Sequence, residues 1–315
     1  MKAAIEARGL RKHYRGADHP ALDGFDLTVQ AGTVCALLGR NGAGKTTAVR
    51  VLTTLLAMDD GTATVAGRDV RSDGAGVRRA MGLVGQHAAV DEILPGRANL
   101  VLFGRLNGLS KAAARARADE LIARFGLDEA AGRPVATYSG GMRRRLDLAA
   151  SLVVPPSVLF VDEPTTGLDP DARREVWATV RRLVDDGVTV LLTTQYLDEA
   201  DALADHVAML RDGKIVLEGS PAELTSLVGQ TTVVLRLATG ESAELAVRVA
   251  APHAVGVVST TGTAVAVPVP DAVAVTRVCG ALAAAGVEPV EVTVRQPTLD
   301  DVFVHVNRAT EEAAR

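Results

Sequence analysis

Gly39-Arg40-Asn41-Gly42-Ala43-Gly44-Lys45-Thr46-Thr47 decides how this chain is read. It follows the apolar run Thr33-Val34-Cys35-Ala36-Leu37-Leu38 and precedes Ala48-Val49-Arg50-Val51-Leu52. The first run predicts a buried strand and the second a helix, so the stretch has the form strand–GxxxxGK[ST]–helix, a phosphate-binding loop. Glycines let the backbone curl until successive N–H groups face one anion. The helix that follows adds its positive N-terminal pole. Lys45 supplies a point charge for the β- and γ-phosphates of a nucleotide, and the Thr46 hydroxyl is a ligand for Mg²⁺.

Outward from that loop, bulk composition sets limits. The chain has 315 residues, 48% of them apolar, which predicts one medium domain plus a smaller one. Aromatic residues make up only 3%, so the core must be built from Ala, Val and Leu. The net charge of −4 gives no electrostatic case for nucleic-acid binding. Cys35 and Cys279 lie far apart and read as buried thiols in a reducing compartment. Residues 1–8 carry no apolar segment of the secretory type. No run reaches the roughly 18 apolar residues that span a bilayer, so action at a membrane would need another chain to provide the spans.

Along the chain, Ala3 to Arg8 and Leu22 to Val29 predict short strands, with Tyr14 between them. Tyr14 admits two readings, an adenine-stacking ring or an ordinary half-buried strand aromatic. After the loop helix, Gly61 to Val65 and Met81 to Val84 read as strands. Gln86, just past the second, is either a group that reaches a metal or attacking water, or a solvated loop residue. From about 91 to 155 the pattern turns helical, with candidates at Arg97 to Leu106, Lys111 to Phe125 and from Gly140 onward. The last opens on Tyr138-Ser139-Gly140-Gly141-Met142-Arg143-Arg144-Arg145. Ser139 can cap it and its free N–H groups form a second anion-binding end; simple capping with a solvated arginine face is the alternative.

Val158-Leu159-Phe160-Val161 then runs as a buried strand into Asp162-Glu163. Ligands of open α/β sheets bind beyond the carboxyl ends of strands. Asp162 is therefore placed to hold Mg²⁺ and Glu163 to orient or deprotonate an attacking water. Thr165 to Pro170 is a tight loop into a helix from Asp171 to Asp186. The strand Val188 to Leu192 ends near Gln195, again polar at a carboxyl end. Val207 to Leu210 and Lys214 to Glu218 flank an Arg211-Asp212-Gly213 turn, and Ser220-Pro221 starts a short helix.

In order and spacing, the Gly39–Thr47 loop, Ser139-Gly140-Gly141, Asp162-Glu163 and Asp169 resemble the ATP-binding-cassette (ABC) ATPases over about residues 3–228. The resemblance implies an α/β P-loop NTPase domain with a helical subdomain. It further implies that Tyr14 stacks on adenine, that Gly39, Arg40, Asn41, Gly42, Ala43, Gly44, Lys45, Thr46 and Thr47 cradle the phosphates of ATP, and that Gln86 senses the γ-phosphate and Mg²⁺. Ser139, Gly140 and Gly141 match the signature motif, which closes on the ATP of a second copy. Thr46, Gln86 and Asp162 are the implied Mg²⁺ side, and Lys45, Glu163 and Gln195 the implied catalytic set. Asp169 matches the loop that crosses the dimer interface. Gln195 stands where that family usually has histidine. Glutamine can donate a hydrogen bond to the γ-phosphate but cannot carry a charge or relay a proton, so Glu163 is expected to do the general-base work while Gln195 positions.

Gln195-Tyr196-Leu197-Asp198-Glu199-Ala200, Gly85 to Glu92 and Pro297-Thr298-Leu299-Asp300-Asp301-Val302-Phe303 resemble the daunorubicin-resistance (DrrA-like) exporter ATPases. The resemblance implies a homodimer at the cytoplasmic face of the cell membrane, driving a separate permease that exports drugs or other hydrophobic molecules. A domain at 1–228, with its helical subdomain at about 91–155, would then be followed by a small α+β accessory or regulatory domain at 229–315. In that segment Thr232 to Leu237, Leu245 to Val249, Val257 to Ser259, Ala264 to Val267 and Val290 to Val294 read as strands. Asp271 to Ala285 reads as a helix, and Thr298 caps a last one. His253 and His305 are isolated. The rival reading, a non-transport ABC ATPase acting on nucleic acid or ribosomes, fits less well with one cassette, no basic stripe and no long heptad run.

Overall fold

The structure, a computed structural model, describes residues 2–86, 89–228 and 231–304. His87, Ala88 and His305, which entered the sequence reading, lie outside them. The chain forms two compact units, Met1–Pro221 and Ala222–Arg315.

The first unit begins with strands β1 (Ala3–Lys12), β2 (Leu22–Gln30) and β3 (Val34–Leu38), followed by helix α1 (Lys45–Leu52). Next come β4 (Asp60–Val65), β5 (Arg68–Asp69), α2 (Gly74–Ala80) and β6 (Met81–Val84). Three helices follow, α3 (Gly96–Leu106), α4 (Lys111–Arg124) and α5 (Gly140–Ser151). The chain then returns to the sheet through β7 (Val158–Asp162), α6 (Pro170–Asp185), β8 (Thr189–Thr194), α7 (Leu197–Leu203), β9 (His206–Arg211) and β10 (Lys214–Gly219).

Two sheets result, a four-stranded antiparallel one in the order β2-β1-β4-β5 and a six-stranded one in the order β10-β9-β3-β8-β7-β6. In the larger sheet β9, β3, β8, β7 and β6 run parallel and only β10 is antiparallel. Every residue of β3, β7 and β8 is buried, as expected of central parallel strands covered on both faces. One apolar cluster joins the small sheet (Ile5, Leu10, Phe25, Leu27, Val65) to α1 (Val49, Leu52) and the large sheet (Leu37, Phe160, Leu191). Cys35 lies in that cluster, and burial pushes its thiol up to about 12. Cys279 is only partly buried, because it falls on the rim of its helix rather than on the packed face, so the expectation of two buried thiols holds for Cys35 alone.

Register decides where chemistry can occur. Leu38 sits opposite Thr194, Asp162 opposite Thr193 and Val84 opposite Val161. The residues that follow β3, β7, β8 and β6 therefore leave the sheet at one edge. Those residues include the glycine loop, Glu163, Gln195 and Gln86.

The chain passes through α8 (Pro221–Ser226) into the second unit: β11 (Thr232–Arg236), α9 (Gly240–Ala250), β12 (Ser259–Thr261), β13 (Ala264–Pro268), α10 (Ala272–Ala284) and β14 (Glu291–Arg295). The strands pair antiparallel in the order β12-β13-β11-β14. Both helices pack on one sheet face, Ala243, Ala246, Val278 and Leu282 against Val233, Leu235, Val265 and Val267. Leu245 to Val249, expected as a strand, lies inside α9. Its valines carry a β signal, but Thr239 caps a helix there, and Ala243, Ala246 and Ala250 at helical spacing bury a face that a strand would divide between two sides. The short strand expected at Val257 to Ser259 forms two residues later, at β12. The helical backbone at 299–304 starts as the sequence suggests, with the Asp301 N–H on the Thr298 hydroxyl and the Thr298 N–H on the Asp301 carboxylate.

Candidate active site

The glycine loop is shaped by close packing as much as by torsional freedom. A Cβ at Gly39 would sit 2.5 Å from the Leu210 carbonyl oxygen, and one at Gly44 2.4 Å from that of Ala21. Gly44, at φ +110°, is the N-cap of α1. The N–H groups of Lys45, Thr46 and Thr47 precede the first helical bond, from the Ala48 N–H to the Gly44 carbonyl (2.9 Å), and so stand at the open end of α1. The turn after β9, read from sequence as a plain hairpin, braces the loop: the Gly213 N–H donates to the Ala43 carbonyl at 3.0 Å. Arg40, Asn41 and Gly42 are exposed at the tip, while Thr46 is half-buried and Thr47 buried.

The Lys45 side chain is 4% exposed and bends over its own loop, donating to the carbonyls of Gly39 (2.7 Å) and Arg40 (3.2 Å). Its ammonium also lies 3.5 Å from the Glu163 carboxylate. Both groups were singled out in the sequence, one as a phosphate ligand and the other as a base, and the fold makes them direct neighbours. Phosphate oxygens are acceptors for the same ammonium and for the N–H groups at the start of α1.

Asp162 and Glu163 are held by the neighbouring strand. The Thr193 hydroxyl donates to Asp162 Oδ1. The Glu163 N–H donates to both the carbonyl and the hydroxyl oxygen of Thr193, each at 3.1 Å. Glu163 has φ +47°, a left-handed conformation that strains a non-glycine residue and persists only where the surroundings hold it. Gln195 follows β8 and is half-buried. Thr194 sets it in a tight turn by accepting the Tyr196 N–H at 2.9 Å, and Arg173 stacks 5.0 Å from the centre of the Tyr196 ring. Gln86 is exposed beyond β6. Tyr14 is 38% exposed, and its hydroxyl lies 3.3 Å from the Thr47 hydroxyl.

Ser139 is exposed and caps α5, its hydroxyl accepting the Met142 N–H at 3.2 Å. Tyr138 is buried, and its hydroxyl donates to the Ala130 carbonyl at 2.8 Å. The glycines have a second reason beyond free N–H groups. A Cβ at Gly141 would lie 2.9 Å from the Ala172 methyl, and one at Gly140 3.1 Å from Leu168. The helix starts of α5 and α6 thus touch, the latter capped by Asp169, which accepts the Ala172 N–H at 2.8 Å. Gly141→Ala is expected to cost about 1–3 kcal/mol through overpacking, read as a lower denaturant midpoint at unchanged slope.

Three polar residues escaped the sequence reading. Arg144, within the expected solvated arginine face, is buried, as is Asp147 one turn later. Burial pushes the Arg144 guanidinium down and the Asp147 carboxyl up, each partly opposed by the other's charge. Glu199 is fully buried, accepts from the Thr165 hydroxyl (2.8 Å) and the Trp177 indole N–H (3.1 Å), and has its carboxyl pushed up by burial. A usable signal existed: Gly141, Arg144 and Leu148 fall on one helical face, and so do Glu199 and Leu203.

Chemically, the carboxyl edge of the large sheet offers a phosphate cradle with an ammonium and a carboxylate beside it. Comparison with known proteins agrees with that geometry. A family model described as ABC transporter matches residues 22–166. The cbiO1 protein of Clostridium perfringens, described as part of the ABC transporter complex cbiONQ, superposes with a TM-score of 0.66 at 26% identity, covering 72% of this chain and 92% of that one. The chain belongs to the ABC transporter ATP-binding proteins, and it is an ATP-hydrolysing subunit of that family. Within the family it falls in the DrrA-like group. It is 52% identical to the daunorubicin resistance ATP-binding protein DrrA3 of Streptomyces coeruleorubidus, over 99% of each chain. It is 49% identical to the daunorubicin/doxorubicin resistance ATP-binding protein DrrA of Streptomyces peucetius, over 99% of this chain and 96% of that one.

Proposed function

We propose that two copies of this chain bind two ATP molecules between them and drive a separate membrane permease that exports daunorubicin-like or other hydrophobic small molecules. The observation that carries the two-copy reading is the exposed, Ser139-capped start of α5, an anion-binding helix end like the one that follows the glycine loop. The near full-length similarity to two daunorubicin-resistance proteins carries the choice of cargo. Among the described residues no helix is long and apolar enough to cross a membrane. The similarity to the DrrA proteins supports assigning the path for the cargo to a permease and this chain to its cytoplasmic face.

In this reading Tyr14 stacks on adenine, and Gly39 to Thr47 surround the phosphates. Thr46, Gln86 and Asp162 make up the protein side of a Mg²⁺ site. The Asp162 carboxylate, held by the Thr193 hydroxyl, and the Thr46 hydroxyl at the open start of α1 are oxygen donors of the kind a hard cation takes. Bound there, Mg²⁺ supplies charge neutralisation on the phosphate oxygens. Glu163 accepts a proton from the attacking water, Lys45 holds the γ-phosphate oxygens, and Gln195 donates a hydrogen bond to them. Closure of the two copies over ATP converts nucleotide affinity into subunit movement.

Ser139→Ala is expected to leave ATP binding by the isolated chain within about twofold and to slow turnover at least about tenfold, the loss of one charge-assisted contact made across the closed dimer. Equal loss of nucleotide affinity would overturn the two-copy site. The cargo is tested by doxorubicin efflux from cells expressing the chain with its permease. Efflux that is unchanged by Glu163→Gln would overturn the export reading.

A further inference from the structure

Resting on the role proposed above for Glu163, we infer that Arg144 is a positioning residue for hydrolysis, acting through Glu163 from within the same chain. Its guanidinium reaches two carbonyls that the sequence separates widely. Nη1 donates to the Gly85 carbonyl at 2.6 Å, and Nη2 to the Asp162 carbonyl at 3.2 Å. The second contact is the informative one, because the Asp162 carbonyl belongs to the peptide that joins Asp162 to Glu163. The N–H of that same peptide is held by Thr193 on the opposite side. The strained left-handed Glu163 is thus gripped through both polar groups of the preceding peptide, by a guanidinium on one side and a strand threonine on the other. The first contact fixes the residue before Gln86. One planar, five-donor side chain therefore sets the end of β7 relative to the end of β6, a task that lysine, whose three donors radiate from one nitrogen without a fixed fork, cannot share.

Asp147 completes the arrangement. It lies one helical turn further along α5, 3.6 Å from Arg144, and its Oδ1 accepts the Ala89 N–H at 2.9 Å. The pair grips the backbone before and after residues 86–88 with opposite chemistry, a donor to Gly85 and an acceptor from Ala89. Both side chains are buried, at 8% and 3% exposure, which demands such partners. Neither touches the loop at Gly39 to Thr47 in any recorded hydrogen bond among the described residues, so their effect on turnover should pass through the peptide they hold.

The test is a double-mutant cycle in the full chain. Arg144→Ala should lower kcat about 30- to 300-fold with the ATP dissociation constant within about threefold, and Arg144→Lys should recover less than a tenth of the loss. In a Glu163→Gln background, the residual single-turnover hydrolysis should fall less than about threefold on adding Arg144→Ala, because the group through which Arg144 acts is already gone. An equal fold-loss in both backgrounds would overturn the proposal, as would a loss confined to ATP affinity. If Arg144→Ala does not fold, Arg144→Gln, which keeps a planar amide donor, enters the same cycle with the same criteria. Melting temperatures separate loss of fold from loss of rate.

Discussion

Glu163→Gln is expected to lower steady-state ATP turnover by about 10²–10⁴-fold while ATP still binds, the range spanned by removal of a general base. The substitution is nearly isosteric. The backbone grip by Thr193 does not involve the carboxylate and survives. What is lost is a proton acceptor at the carboxyl end of β7. Removing the carboxylate also frees the Lys45 ammonium, which lies 3.5 Å from it, so ATP affinity should hold or rise. Gln195→Ala should be milder, about tenfold in kcat, because glutamine contributes a hydrogen bond and no proton transfer. Radiolabelled phosphate release and equilibrium nucleotide binding, measured on the same preparations, check both. Near-normal turnover in Glu163→Gln beside abolished turnover in Gln195→Ala would reverse the assignment of roles.

Lys45→Ala should weaken ATP binding at least about 100-fold, since charge-assisted contacts to phosphate in a buried setting are worth roughly twice a neutral hydrogen bond and several are lost together. Two effects compound. The phosphates lose their ammonium, and the Glu163 carboxylate loses the charge beside it, leaving two anions to meet. A companion double variant, Lys45→Ala with Glu163→Gln, isolates the second effect: partial recovery of affinity is expected there. Calorimetric titration of ATP into each protein reads the result, and unchanged affinity in the single variant would remove Lys45 from the site.

Much of this arrangement was legible in the sequence, for a physical reason. Central parallel strands are buried at every position, so β3, β7 and β8 announce themselves by short apolar runs, Val34 to Leu38, Val158 to Val161 and Val190 to Leu192. Where such a run breaks to Gly39, Asp162-Glu163 or Gln195, the carboxyl edge of the sheet is marked too. The helix start at Ser139 was equally plain, because a capping side chain is a local device. Arg144 was hidden by its company. Three consecutive arginines look solvated, and only the assembled carbonyls of Gly85 and Asp162 make one of them a core residue. Leu245 to Val249 misled for the complementary reason, since valines state a preference that helix-face packing overrode. The proximity of Lys45 to Glu163 depends on strand register and had no signal in either motif.

The turn at Asp212-Gly213 invites a practical conclusion. Asp212 is almost wholly exposed, and a two-strand hairpin tip with a solvent-facing aspartate is where a protein engineer would place an epitope tag or a fluorophore cysteine. Yet the next residue is wedged against the chain entering β2, where a Cβ would lie 2.8 Å from the Leu22 Cα, and it donates to the nucleotide loop at Ala43. Accessibility and tolerance part company within a single peptide bond. A label is better placed at the exposed Gly132, which has no left-handed backbone to strain and nothing within 4 Å of an added Cβ.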